Sequence, residues 1–237
     1  MLMLHRGAEA IDFDTLTALS TPDATKSHVP IRHTDVVDMV KYALGYYGHA
    51  VVEEHHAIAE EGHRYFGLLQ LKSQYGDYTD TVGLRNSHDK SFPVGIAFGS
   101  QVFVCDNLAF AADHVVKRRH TANLKRDLPG IVAEIVEPLQ QVRKLQHEKI
   151  ERYRETPLLD HQADHIIMEL YRHSVINLQR IAEVNRQWHE PDYDWGPRTA
   201  WRMFNAATVT LTGRVAEKPA VTAKLHEVID GVCEIVT

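Results

Sequence analysis

Five consecutive polar positions, 85–89, carry the densest group of reactive side chains in the sequence: Arg85, Asn86, Ser87, His88 and Asp89. A guanidinium can hold an anion through two hydrogen bonds, and a histidine beside a carboxylate can act as a general base. Serine and aspartate also build turns at strand ends by bonding the backbone. We predict an anion-binding or nucleic-acid-binding site at the first four of these residues, with a turn as the alternative interpretation.

Alternation along a strand decides which of these side chains can act together. Successive side chains of a strand point to opposite faces, so Arg85 and Ser87 share one face while Asn86 and His88 share the other. Ser87 and His88 therefore cannot form a nucleophile and base pair unless the backbone breaks between them. No catalytic residue is assigned on this basis.

A basic run follows further along the chain, with Lys117, Arg118, Arg119, Lys125 and Arg126 within ten positions. Residues 117–154 carry a local charge of +5 in a chain whose net charge is −6. Phosphate backbones are the natural partner of such a run, because each contact releases counterions without reading sequence. The run predicts binding to single-stranded or double-stranded DNA, and solvated helical faces are the alternative.

Aromatic side chains near the predicted strands could add base stacking: Tyr65, Phe66, Tyr75 and Tyr78. Aromatic residues at strand positions more often belong to the core.

His161 and His165 stand one helical turn apart in the segment DHQADH, and this spacing can place two imidazoles on one metal ion. The pair is a candidate divalent-metal site that needs a third ligand from elsewhere. The alternative is a polar helix start, where aspartates interact favourably with the helix dipole.

The elements that position these residues follow from periodicity. Apolar spacing predicts a helix over 34–47 and two strands, 49–59 and 64–72, joined by a loop in which Gly62 supplies a left-handed residue. Further strands follow at 81–88, 93–98 and 101–105, the last two turning at Gly99–Ser100. After residue 107 the chain is predicted to be helical, with a helix over 107–119 and a second helix that is interrupted or kinked near Pro138.

The later part of the chain continues this helical pattern. One long helix is predicted to end near Trp188, another spans 198–212, and a last helix opens at Pro219.

The order of elements predicts an α+β fold: an N-terminal helix, about five antiparallel strands, then a C-terminal group of four to five helices. Residues 1–30 lack periodicity and are predicted to form an irregular arm. Residues 31–237 then form a single α+β domain, with helix plus sheet over 31–110 and a helical part over 111–237.

Composition narrows the class further. No apolar run reaches the roughly 18 residues that a membrane span needs, so we expect a cytoplasmic protein without a membrane partner. Cys105 and Cys233 lie among apolar residues, which suits reduced, buried thiols.

Four blocks of the sequence together resemble an uncharacterised family, the "phage/plasmid-like protein" family of bacterial mobile elements: EEHHAIAEEGHRYFGLLQL, GLRNSHDKSFPVGIAFGSQVFVCDNL, RRHT and TAWRMFNAATVTLT. The resemblance covers residues 30–215 and implies a gene carried by phages, prophages or plasmids that acts in the cytoplasm of a bacterial host. It implies no activity and no functional residues.

The function predicted from these observations is nucleic-acid binding in phage or plasmid DNA metabolism, with a homo-oligomer as one assembly. The first alternative is a metal-dependent hydrolase of nucleotides or nucleic acid that uses either His161 and His165 or the His88–Asp89 turn. The second is an anti-defence protein that binds a host protein through its acidic surface.

Overall fold

The computed structural model of the chain describes residues 8–73, 78–102, 107–211 and 220–233. Its contacts divide the chain into two units. Unit 1 comprises Met1–Ser100 with His114–Gln140, and unit 2 comprises Gln101–Asp113 with Gln141–Thr237.

Six strands form one sheet whose spatial order follows the chain, so each strand lies beside its neighbours in sequence. The strands are β1 Glu9–Ile11, β2 Val51–Ala59, β3 Arg64–Leu71, β4 Tyr78–Ser87, β5 Val94–Val102 and β6 Asn107–Arg118. The pairings of β1 with β2, β2 with β3, and β3 with β4 are antiparallel. Gly62 adopts the left-handed conformation in the β2–β3 turn, with a φ of 85°, as predicted.

Three helices belong to unit 1: α1 Phe13–Ala18, α2 His33–Tyr46 and α3 Leu124–Val136. The buried stripe of α2 includes Val36, Val37, Val40 and Leu44, which recur at helical spacing. α2 contacts both β2 and β4. Burial of this stripe therefore fixes α2 on the sheet.

Five further helices follow: α4 Leu139–Glu155, α5 Asp160–Arg172, α6 Leu178–His189, α7 Ala200–Thr210 and α8 Ala220–Val232. α7 is buried on nearly all sides, because Trp201, Met203, Phe204 and Ala207 are all inaccessible. α7 packs against α6 and α8, and its small residues Ala206 and Ala207 are fully buried. The α+β class is therefore confirmed, together with the antiparallel sheet and the C-terminal helices.

The largest local error of the sequence prediction lies at residues 107–119, where the expected helix is the strand β6. Its segment NLAFAADHVVKR contains three alanines that favour a helix, but pairing with β5 outweighs this local preference. The hairpin turn expected at Gly99–Ser100 is wrong for a related reason, because both residues lie inside β5.

The single long helix expected before Trp188 is two helices, α5 and α6. Ser174 has a φ of 58°, which ends α5. Asn177 then caps α6, its Oδ1 accepting a hydrogen bond of 3.2 Å from the backbone N–H of Arg180. The break predicted near Pro138 is confirmed, since α3 ends at Val136 and α4 begins at Leu139.

The N-terminal arm is more ordered than the sequence indicated. β1 pairs with β2, and Asp12 caps α1 by accepting a hydrogen bond of 2.7 Å from the backbone N–H of Thr15. The prediction of an irregular arm is therefore wrong for residues 9–18. Elements of three and six residues are too short to show a period in sequence. Of the two cysteines, Cys233 is a buried free thiol and Cys105 lies outside the described residues.

Candidate functional site

The end of β4 divides its polar side chains between two faces, as alternation predicts. Ser87 lies on one face, where its hydroxyl donates a hydrogen bond of 2.7 Å to the carbonyl of Phe92 and accepts one of 3.2 Å from the Phe92 N–H. Asp89 accepts bonds from the Ser91 N–H at 2.9 Å and from Arg64 Nε at 2.6 Å. Ser87 and Asp89 thus stabilise the β4–β5 turn.

Arg85 shares the face of Ser87 and packs closely on the neighbouring strand. A Cβ added at Gly95 would come within 2.8 Å of Arg85 Nε, so glycine at this position makes room for the arginine. The guanidinium lies 5.3 Å from the centre of the Phe92 ring, and burial lowers the pKa of Arg85. Arg85 is therefore half-buried and on the opposite face of β4 from Asn86.

Asn86 is the centre of a buried hydrogen-bond network. Its Nδ2 donates to the carbonyl of Ile31 and to His33 Nδ1, both at 2.9 Å. Its Oδ1 accepts a bond of 2.7 Å from His120 Nε2. The Ile31 carbonyl also accepts a bond of 2.9 Å from His88 Nε2. One amide thus joins the segment before α2, the end of β4 and the segment after β6.

Four buried histidines surround this amide and form what we call the histidine cluster: His28, His33, His88 and His120. The rings of His33 and His88 stack in parallel with centres 4.1 Å apart, and those of His28 and His120 lie 4.9 Å apart. Two closely stacked imidazoles are compatible with neutral rings, because two buried positive charges would repel each other.

The hydrogen bonds and the lowered pKa values agree that His33 and His120 are uncharged at neutral pH. His33 Nε2 donates to the Gly62 carbonyl at 2.9 Å, which leaves Nδ1 as an acceptor for Asn86. Burial, followed by the charge of His88, lowers the pKa of His33 to about 4. Burial, followed by the charges of His28 and His88, lowers the pKa of His120 to about 4. A neutral imidazole carries no positive charge with which to attract a phosphate.

These positions change the role of the predicted site residues. Asn86 and Ser87 are fully buried, His88 is 6% exposed, and all three bond to protein groups. These three side chains hold neighbouring segments of the chain in place and are too buried to contact a nucleic acid. Sequence reasoning missed His28 and His33 as members of the cluster, and the only signal for them was the total of 16 histidines.

The basic residues, in contrast, lie at the surface. Lys117, Arg118 and Arg119, which we call the basic triad, are exposed where β6 ends. Arg118 Nη1 donates to the carbonyl of Lys117 at 3.3 Å, and within the described ranges none of the three has a carboxylate partner. The triad is followed at once by His120, whose carbonyl accepts a bond of 3.0 Å from the Val29 N–H. Two hydrogen bonds of His120 therefore anchor this segment.

Lys125 and Arg126 lie in the first turn of α3 and complete what we call the basic segment, residues 117–126. Lys125 Nζ is 3.8 Å from a carboxylate oxygen of Asp35, and Arg126 Nε bonds to Asp127 at 2.7 Å. These two cations are partly neutralised by their neighbours, so the basic triad carries most of the uncompensated charge.

The aromatic residues that sequence reasoning offered for stacking are placed differently. Tyr65 and Tyr78 are fully buried, and Phe66 packs on Phe92 with ring centres 5.3 Å apart. Tyr65 donates its hydroxyl toward the His56 ring nitrogen, Nδ1, at 2.9 Å, and Tyr75 lies outside the described residues. The core interpretation is therefore correct for Tyr65 and Tyr78.

His161 and His165 lie on the exposed side of α5, one turn apart as predicted. The neighbouring Asp160 is already engaged, since its Oδ1 accepts bonds from Trp188 Nε1 at 3.0 Å and from Arg198 Nη1 at 2.9 Å. Across the described part of the chain, no three His, Cys, Asp or Glu side chains converge on a point where a metal could bind.

Unit 2 contains a buried ionic network that the sequence did not indicate. Asp230 accepts from Lys149 Nζ at 2.7 Å and from the Tyr153 hydroxyl at 2.5 Å. The hydroxyl proton is used in this bond, so His226 Nδ1 donates to the Tyr153 oxygen at 3.0 Å. Burial, followed by the charge of Lys149, lowers the pKa of His226 to about 3. The network joins α4 to α8 across more than 70 residues of sequence.

None of the helices in the described ranges has the length and apolar character that crossing a bilayer requires. Comparison with curated proteins and with solved structures gives no match. Comparison with family models matches residues 23–224 to one model, Domain of unknown function (DUF932). Because this match covers most of the chain, the protein belongs to the DUF932 family.

Proposed function

We propose that this protein binds nucleic acid through its basic segment and acts in phage or plasmid DNA metabolism in a bacterial cytoplasm. The observation that carries the proposal is the basic triad: three consecutive exposed cations without a carboxylate partner in the described ranges. Long cationic side chains without acidic partners remain available for phosphate oxygens. The mobile-element context rests on the sequence blocks that resemble the phage/plasmid-like family.

The charge distribution supports a localised contact. The chain has a net charge of −6, so its overall charge opposes the approach of a polyanion. A ligand held mainly by the basic triad should bind weakly at physiological salt and more tightly at low salt. Three phosphate contacts to a single strand give a slope of about −2 for log K against log salt concentration.

The backbone at the end of the basic triad is held in place, which favours binding by its cations. His120 is fixed by Asn86 and by Val29, so the preceding arginine lies next to a rigid point of the backbone. Cations on a fixed backbone lose less conformational entropy on binding than cations on a free loop.

The test is fluorescence anisotropy with labelled single-stranded and duplex DNA, titrated with salt from about 50 mM upward. The variant Lys117→Gln/Arg118→Gln/Arg119→Gln should lose most of the binding and most of the salt dependence. The matched control is Lys144→Gln/Arg152→Gln/Lys224→Gln, which removes the same charge from exposed positions of unit 2. Absence of binding by the unaltered protein at the lowest salt would refute the proposal, as would equal losses in both variants.

A further inference from the structure

Two tyrosines on the outer face of α2 are the most exposed large apolar side chains of the described residues. Tyr42 is 77% exposed and Tyr46 is 75% exposed, and they are separated by one helical turn. The Tyr46 ring meets the Tyr47 ring edge-on, with centres 5.1 Å apart, which restrains it. Aromatic rings exposed to this degree and restrained are typical of binding surfaces.

Both tyrosines belong to the same surface as the basic segment. Asp35, in the first turn of α2, lies 3.8 Å from Lys125 in the first turn of α3. α2 and α3 are in contact, so the face of α2 that carries Asp35 lies beside the first turn of α3.

Helical geometry places the tyrosines in line with Lys125. Tyr42 and Tyr46 follow Asp35 by 7 and 11 residues. At 3.6 residues per turn, both side chains project from α2 within about 20° of the direction of Asp35 around the helix axis. At 1.5 Å per residue they lie about 10 Å and 16 Å along the axis from the Asp35–Lys125 pair. Lys125, Tyr42 and Tyr46 therefore lie along one side of α2.

We infer that Tyr42 and Tyr46 stack on the bases of a single-stranded nucleic acid whose phosphates bind the basic segment, an inference that rests on the proposed function. Side chains one turn apart have Cβ atoms about 6 Å apart. This separation is close to twice the roughly 3.4 Å rise between stacked bases, so a base fits between the two rings. In a duplex the base faces are covered, and the rings have nothing to stack on.

The acidic Asp38 sets the direction of the strand on this surface. It is exposed in the turn between Asp35 and Tyr42, where its carboxylate repels phosphates. The backbone of the ligand therefore lies away from Asp38, with its phosphates at the exposed cations of the basic segment and its bases toward the two tyrosines of α2. Asp38→Asn should accordingly strengthen binding.

The test compares an oligothymidylate with a duplex in the low-salt anisotropy assay. Tyr42→Ala/Tyr46→Ala should weaken single-strand binding at least about tenfold and change duplex binding less than about twofold. Tyr42→Phe/Tyr46→Phe keeps the rings and should bind like the unaltered protein. Tyr171→Ala/Tyr193→Ala, which removes two partly exposed tyrosines of unit 2, is the matched control.

The outcomes separate the two proposals. If neutralising the basic triad weakens binding while the double alanine variant binds both DNAs normally, the stacking inference is overturned and the proposed function stands. The inference is also overturned if the alanine variant loses both DNAs equally, or if the α2 face instead binds a protein. If the unaltered protein binds neither DNA, both are overturned.

Discussion

Replacement of Asn86 by alanine should destabilise the protein more than any other single change at the end of β4. The variant removes three hydrogen bonds, but their partners are not affected equally. The Ile31 carbonyl keeps its bond from His88 Nε2, whereas His33 Nδ1 and the Nε2–H of His120 lose their partner. A buried polar group without a partner costs about 1–3 kcal/mol, so the free energy of unfolding should fall by about 2–6 kcal/mol.

Urea unfolding followed by circular dichroism at neutral pH measures this change. Tryptophan fluorescence is unsuitable, because Trp188, Trp195 and Trp201 all belong to unit 2. Asn177→Ala is the matched control, since it removes one exposed helix cap and should cost about 1 kcal/mol. A loss for Asn86→Ala no larger than that of the control would show that the network contributes little.

Three further predictions concern the same unit. His33 and His120 take up protons near pH 6.5 in the unfolded chain but only near pH 4 in the folded protein. The unfolded chain therefore binds more protons between these values, and the free energy of unfolding should fall as the pH drops from 6.5 to about 4. The loss is of the order of a few kcal/mol, and urea midpoints that stay constant from pH 7 to about 4.5 would contradict it. Gly67→Ala would place a Cβ 2.1 Å from the Tyr65 hydroxyl oxygen and should cost about 1–3 kcal/mol. Gly130→Ala, in α3 with nothing within 4 Å, should be neutral or stabilising by the same measurement.

Much of the architecture could be read from local patterns. The apolar period of α2, the Gly62 turn and the break at Pro138 each depend on a few adjacent residues, and each agrees with the structure. The alternation of Arg85 and Ser87 against Asn86 and His88 is likewise a local property of the backbone, and the structure follows it. The prediction of a helix at β6 was wrong because the conformation there depends on another segment of the chain. Pairing with β5 outweighs the helical preference of alanine.

The candidate site shows the same limit. The exposed positions of the basic triad follow from charge alone, since cationic side chains rarely lie fully buried. The interior role of Asn86 does not, because its partners His33 and His120 lie 53 and 34 residues away. The run of polar residue types predicted an exposed reactive site. In the structure, Asn86, Ser87 and His88 form hydrogen bonds with backbone and side-chain groups of other segments.

The short strand β1 has a consequence for self-association. It pairs only with residues 56–58 of β2, so in the described ranges no strand covers the outer edge of β2 at residues 51–55. An open edge of this kind offers backbone N–H and C=O groups to a second molecule and can start aggregation. Glu53 and His55, which lie 3.3 Å apart, together with Glu54, place ionisable groups there. Charged side chains therefore lie along the part of the sheet edge that β1 is too short to cover, an arrangement that opposes edge-to-edge pairing with a second molecule.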